Sequence, residues 1–354
     1  MKSSRRWFLS FLVLWILCFA VLGGFTVWVD PYFHYHKPLE GLQYPINNER
    51  YQNDGILKNF DYNAIITGTS MTQNFRTSEF DQLFGLTSVK VPLAGASYKE
   101  VNDELTIALE HNPNIELVLR VLDYTAIEKP KDCMFGAVSR YPYYLYDDFL
   151  FNDVEYIFNK TVLFEGSVHV LEYTGAGGMT TSFDEYSNWN AFSVFGKEAI
   201  GAEYLRPDRQ PESVAVTDED YTAIRENITQ NVTDLIAQYP DVQFYLFFPP
   251  YSIYYWDSQN QSGLMDKHFA EEKYVIEMLL EHDNIHLFSF TTEYDIICDL
   301  DNYKDIWHYS EDINSQILVW MSEGTHELTR ENYLEYCGEE YDFYINYDYD
   351  ALFE

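Results

Sequence analysis

Thr67-Gly68-Thr69-Ser70-Met71-Thr72 follows a short apolar run, Asn63 to Thr67, that reads as a β-strand. A glycine permits a sharp exit from a strand, and a serine two residues later is displayed near the start of a helical turn, where backbone N–H groups point outward. This is how a nucleophilic serine is presented, although the same residue types also do no more than cap a helix. Far downstream, Asp305-Ile306-Trp307-His308-Tyr309-Ser310 precedes Glu311 and Asp312. Ser310 with two acids behind it marks a helix start, so Asp305 and His308 lie on the loop entering it, close enough for the carboxylate to reach the ring. Asp orients one imidazole nitrogen, the other takes the serine proton, and the hydroxyl becomes a usable nucleophile for acyl chemistry. Taken alone, Asp-x-x-His is equally a surface pair of no consequence.

Positioning these groups requires elements that bring distant loops together. Further strand candidates are Val89 to Leu93, Ile115 to Leu122, Val242 to Phe248 and Ile285 to Phe288, with helical patterns at Lys99 to Glu110, Asp218 to Gln238 and Asp266 to Glu281. Strands and helices in alternation imply a parallel sheet covered on both faces, with ligands beyond the carboxyl ends of its strands. The periodicity fails between about 125 and 217, an aromatic-rich insertion. Its Gly175-Ala176-Gly177-Gly178 lacks the Lys-Ser/Thr of a phosphate loop and reads as a flexible loop.

Gly68-Thr69-Ser70 near the first strand and Asp305-x-x-His308 near the last helix, with Gly95 of Pro92-Leu93-Ala94-Gly95-Ala96 after the second strand, resemble the SGNH (GDSL-like) hydrolase superfamily over roughly residues 60 to 320. The resemblance implies a three-layer, doubly wound, flavodoxin-like α/β fold, a Ser70–His308–Asp305 triad, and an oxyanion hole built on the N–H groups of Ser70 and Gly95. A typical member also has Gly-x-Asn-Asp after the third strand, the Asn holding the oxyanion; here the strand runs into Asp123-Tyr124. An ionised Asp123 only accepts hydrogen bonds, so a further donor must come from elsewhere, with Tyr124 and Asn74 the candidates. Tyr251 and Ser252, after the fourth strand, either line a pocket at the same sheet edge or simply follow two prolines that turn the chain.

The compartment is written in the first thirty residues. Lys2, Arg5 and Arg6 precede an uncharged run from Trp7 to Val29, long enough to span a bilayer, and the basic side stays cytoplasmic. The chain therefore reads as a single-pass signal anchor with everything from about Asp30 outside; a cleavable signal peptide is the competitor, and no clean small-residue site follows the run. Ser4-Arg5-Arg6-Trp7-Phe8-Leu9 is similar to a twin-arginine signal, but the strongly apolar run fits an ordinary anchor as well. Leu17 before Cys18 does not resemble a lipobox. Anchor, outward topology and insertion look most like the branch of the superfamily containing the DltD protein of teichoic acid D-alanylation and relatives that acyl-modify cell-surface polysaccharides.

Composition narrows the partners. With 57 acidic against 22 basic residues the formal charge is −35, which repels phosphate backbones and excludes nucleic acid. Cys133, Cys298 and Cys337 lie outside the anchor, an odd number that allows at most one bridge; Cys298 with Cys337 is the expected pair. The N-x-S/T matches at Asn159, Asn227, Asn231 and Asn260 read as chance. His34 and His36 share a face if extended, yet no third and fourth metal ligand is spaced with them; their segment reads as an aromatic stem, with Trp28, Tyr32 and Tyr35 at headgroup level. The expected organisation is a cytoplasmic stretch 1–6, an anchor 7–29, a stem 30–59, an α/β domain 60–325 with its insertion, and an acidic, tyrosine-rich tail 326–354. The expected function is serine-dependent hydrolysis or transfer of an acyl group on a cell-envelope glycan or polymer, without cofactor or metal. The alternative is a non-catalytic binding or scaffolding partner of a membrane-bound O-acyltransferase.

Overall fold

Five runs rich in β-branched and aromatic residues become parallel strands: β1 (Ala64–Gly68), β2 (Ser88–Pro92), β3 (Leu117–Val121), β4 (Gln243–Phe248) and β5 (Ile285–Ser289). The computed structural model describes residues 2–135, 142–147 and 149–353. A two-residue strand, β6 (Glu327–Leu328), adds antiparallel to β5, and the sheet order is β2-β1-β3-β4-β5-β6. β1, β2 and β3 are buried along their whole length; β1 and β3 read as near-continuous apolar runs, β3 broken by Arg120, whereas β2, Ser88-Val89-Lys90-Val91-Pro92, alternates although both of its faces are covered. The protein is thus a mixed α/β chain around a mostly parallel sheet.

Two charged residues inside this sheet are matched by backbone carbonyls. Lys90 on β2 donates to Gln73 O and, at 2.9 Å, to Phe75 O, clamping the segment that follows Ser70. Arg120 on β3 donates to Asn231 O at 2.9 Å, and burial pushes its guanidinium down to about 10. Asn231 sits in a widened turn, Thr229–Thr233, which interrupts the single helix expected from Asp218 to Gln238. Asn227 and Asn231 are buried, and their side-chain amides bond the carbonyls of Ala126 and Lys131, so neither sequon presents its nitrogen to solvent.

The chain divides into two units, residues 1–61 with 139–182 and residues 62–138 with 183–354. Of the aperiodic stretch, residues 136–141 and 148 lie outside the described residues. The sheet and all the residues expected to do chemistry belong to the second unit. Its acidic C-terminal segment forms a helix, Tyr333–Asn346, whose Tyr344 is buried, stacks on Trp256 with ring centroids 3.9 Å apart and donates to Thr291 O.

In the first unit, Lys2–Val29 is one helix, and its Ser4–Val29 stretch is long and apolar enough to cross a membrane. The following residues are not an extended stem. The Asp30 carboxylate accepts from the N–H groups of His34, Tyr35 and His36 and from the Tyr156 hydroxyl, folding the chain into a tight turn. His36 has its ring nitrogens against Lys37 O and Val27 O, while the His34 ring faces Asp153, so the two imidazoles do not make a common face. Tyr32 is buried with Leu145, Tyr156 and Val162, and Tyr35 packs on that cluster; of the three expected stem aromatics, Trp28 alone is exposed.

The four cysteines are free thiols. Cys298 faces Tyr347, whereas Cys337 lies among Glu272, Glu340 and Lys273, so the expected Cys298–Cys337 pairing is not made.

Gly68 closes β1 with φ +142°, and a Cβ there would collide with the Val121 side chain and press on Thr72 Cγ2 at 3.1 Å. Gly68→Ala is therefore expected to cost about 3 kcal/mol, from backbone strain and overpacking together, and to register as a lowered urea midpoint.

Candidate active site

Beyond Gly68 the chain turns sharply. Thr69 caps a short 3₁₀ turn, Ser70–Thr72, accepting from Met71 N at its hydroxyl while its carbonyl accepts the Thr72 hydroxyl. Ser70 thus opens the turn at the carboxyl end of β1, half-buried, with its N–H lacking an acceptor inside the turn. Because β2 and β3 flank β1 on opposite sides, this is where the strand order reverses, the place where open α/β sheets leave a crevice.

His308 reaches Ser70 from 238 residues away: its Nε2 lies 2.7 Å from Ser70 Oγ. The Asp305 carboxylate lies 2.8 and 2.9 Å from the other ring nitrogen, Nδ1, and also accepts the N–H groups of Trp307 and His308 at 2.9 Å. Burial on its own raises the Asp305 carboxyl, but the His308 ring and those two N–H groups bring it below its ordinary value. An ionised Asp305 fixes the proton on Nδ1 and leaves Nε2 to accept from the serine hydroxyl.

The loop carrying these groups is stitched at both ends. Tyr303 and Tyr309 form a β-bridge, Lys304 N donates to His308 O, and Ser252 donates to Ile306 O through both its N–H and its hydroxyl. Tyr303 adds a hydroxyl bond to Pro250 O at 2.8 Å. The helix that follows, Glu311–Glu323, is tied to the nucleophile segment through Asn314 Nδ2 to Met71 O and an Arg76–Glu311 ion pair of 2.6 Å. Trp189, from the aperiodic stretch, stands edge-on to the His308 ring at 5.5 Å and donates its backbone N–H to Asn74 Oδ1. No sequence signal singled out Trp189, because nothing periodic surrounds it.

The other expected site residues take separate places. Gly95 follows β2 with φ +68°, exposed, and its N–H makes no hydrogen bond among the described residues. Asn74 is buried, its Oδ1 occupied by Trp189 and its Nδ2 without an acceptor. Tyr124 donates to Glu272 Oε1 at 2.6 Å, which commits its hydroxyl elsewhere. Tyr251 and Ser252 are buried and serve as struts: Tyr251 donates to Asp123 Oδ1 at 2.8 Å, and Ser252 holds the His308 loop. Asp123 itself is a clamp. Its carboxylate accepts the Thr69 hydroxyl at 2.8 Å, the Tyr251 hydroxyl, and both the N–H and hydroxyl of Thr125.

A cavity of about 300 Å³ opens against the same loop, lined by Ile306 and Trp307 together with Tyr124, Tyr255, His268 and Glu272. Burial pushes the His268 imidazole down to about 3, so it is neutral, and its Nε2 has no hydrogen-bond partner. Glu128, Asp220 and Glu271 approach one another closely enough to hold a metal ion, but the Lys267 ammonium lies within 3.5 Å of all three and already supplies the positive charge.

Behind the cavity, Glu272 and Glu340 are both fully buried, and desolvation holds both carboxyls above their ordinary range. The pair keeps a proton that the unfolded chain releases once pH exceeds about 4.5. Each such proton makes stability fall by about 1.4 kcal/mol per pH unit as pH rises from there through the raised native value. Denaturation midpoints should accordingly drop between pH 5 and 8, and Glu272→Gln, which needs no proton there, should flatten the slope.

Comparison with protein-family models, with curated proteins and with solved structures gives no match for this chain.

Proposed function

We propose that this protein is a membrane-anchored, outward-facing serine esterase or O-acyltransferase of SGNH type, acting on acyl groups of a cell-envelope glycan or polymer. The observation that carries the reading is the continuous hydrogen-bonded chain from Ser70 Oγ through both His308 nitrogens to Asp305. The strand order β2-β1-β3-β4-β5 supports a doubly wound, flavodoxin-like sheet with its ligand crevice at the β1/β3 reversal, where Ser70 stands. The basic residues ahead of an apolar helix support the outward topology.

In this mechanism His308 takes the Ser70 proton as the oxygen attacks the acyl carbonyl, and Asp305 stabilises the imidazolium that forms. The N–H groups of Ser70 and Gly95 receive the oxyanion, with Asn74 Nδ2 as the third donor in place of the side chain the family carries after its third strand. His308 then returns the proton to the departing group. Water or a sugar hydroxyl, deprotonated by the same ring, completes hydrolysis or transfer. The cavity beside Trp307, with aromatic walls and an unpaired imidazole nitrogen on His268, fits one glycan unit next to the acyl ester.

Asn74→Ala should lower kcat about 100-fold with KM little changed, since a donor to the oxyanion acts only in the transition state. Equal loss in kcat and in melting temperature would instead make Asn74 a support for Trp189.

Asp123 favours a second reading. Both of its oxygens are occupied, so the end of β3 offers no donor, as expected of a protein that keeps the fold and serves as a scaffold for a membrane-bound O-acyltransferase. Assaying the full chain in detergent with p-nitrophenyl acetate, alone and with an oligosaccharide acceptor, separates the readings. The enzyme gives Ser70-dependent release, with acyl-sugar if it is a transferase; a scaffold gives neither.

A further inference from the structure

The first unit carries an apolar surface that no element of that unit covers. Phe149, Leu150, Phe151, Val154, Phe158 and Phe164 are all exposed, Phe151 at 82%. Scattered exposed apolar side chains are ordinary, but six within sixteen consecutive residues mark a contact with something apolar.

Its position identifies the contact. The Phe158 ring lies 5.2 Å from Phe19, and a Cβ at Gly23 would meet Ile157 and Phe158 at 3.0 and 3.3 Å, so this segment packs directly on the long apolar helix. Between them runs a groove of about 430 Å³, bounded by the helix from Trp15 to Gly24 on one side and by Ile157 and Phe158 on the other, with no charged side chain in its lining. Above that level one side of the helix is covered by protein, since Gly23, Thr26 and Val29 are buried while Trp28 stays exposed. Below it, Trp7 to Leu22 is exposed throughout. Those sixteen residues rise about 24 Å at 1.5 Å each, short of a hydrocarbon core of about 30 Å.

We propose that the segment from Phe149 to Phe164 is a second, monotopic membrane contact, seated in the outer leaflet beside the anchor with phospholipid acyl chains in the groove. The inference rests on reading the N-terminal helix as a membrane span. It moves the outer boundary from Val29 to about Phe19–Gly23, where the bilayer thins to meet the short exposed stretch and the apolar side chains of the segment face its outer leaflet. Exposed Glu155, Lys160 and Glu165 sit among them and hold the segment at the headgroup boundary, as in an interfacial element rather than a second span.

The test is photo-crosslinking of the full chain in its host membrane, with benzoylphenylalanine placed in turn at Phe151, at Phe164, at Phe11 within the span and at exposed Glu40. Mass spectrometry should find phospholipid adducts at Phe151 and Phe164 as at Phe11, and none at Glu40. Lipid at Phe11 with none at Phe151 and Phe164, or capture of another polypeptide there, overturns the monotopic contact while leaving the anchor intact. Absence of lipid at Phe11 overturns the anchor and this contact with it.

Discussion

Ser70→Ala is expected to lower ester turnover by on the order of 10⁴-fold or more while leaving the thermal midpoint within about 1 °C, because the hydroxyl at the strand exit is half-buried and contributes little to the core. His308→Ala should lose as much, and the double variant no more, since a proton acceptor without its nucleophile has nothing left to accelerate. Asp305→Asn should fall by about 10⁴-fold for a different reason. An amide presents a donor as readily as an acceptor, so Nδ1 no longer holds its proton reliably and the ring offers Ser70 the wrong tautomer. Stopped assays with p-nitrophenyl acetate, set beside melting curves of the same preparations, measure both quantities. A Ser70→Ala variant retaining more than about a tenth of the activity contradicts the triad.

Asp123→Ala should be the most destabilising substitution in the sheet domain, by on the order of 4 kcal/mol, because it strips the acceptor from the buried hydroxyls of Thr69 and Tyr251 and from Thr125 at once. In a chain this long that corresponds to a drop of about 5 °C in the melting temperature. Turnover should fall as well, since Thr69 caps the turn that aims Ser70. Asp123→Asn keeps one acceptor oxygen, so its loss should be roughly half as large. If both variants melt with the parent protein, Asp123 is no clamp, and the bonds to Thr69 and Tyr251 are incidental.

The parallel strands were legible because burial on both faces favours short runs dense in β-branched and aromatic residues, and such runs are visible without knowing what they pack against. Ser70 and the Asp305–His308 pair were legible for a related reason: a strand exit and a helix entry are local signals, and a parallel sheet gathers such loops on one edge. What escaped depends on partners distant in the chain. Asp123 read as a missing donor because Thr69 and Tyr251, which make it a clamp, lie 54 and 128 positions away. His34 and His36 read as sharing a face because the turn that separates them is built by Asp30 with Tyr156, 126 positions on. β6 is two residues long and carries no pattern at all. The buried Glu272–Glu340 pair and the unpartnered His268 are invisible to periodicity, since their character comes from desolvation rather than from spacing.

Mass spectrometry after treating the intact protein with a fluorophosphonate tests the central claim most directly, because the reagent phosphonylates a serine only where a neighbouring base has activated it. The expected result is one adduct, on the peptide containing Ser70, that disappears in His308→Ala although Ser70 is still present. An adduct on a different serine, or a folded protein that takes up none, contradicts it.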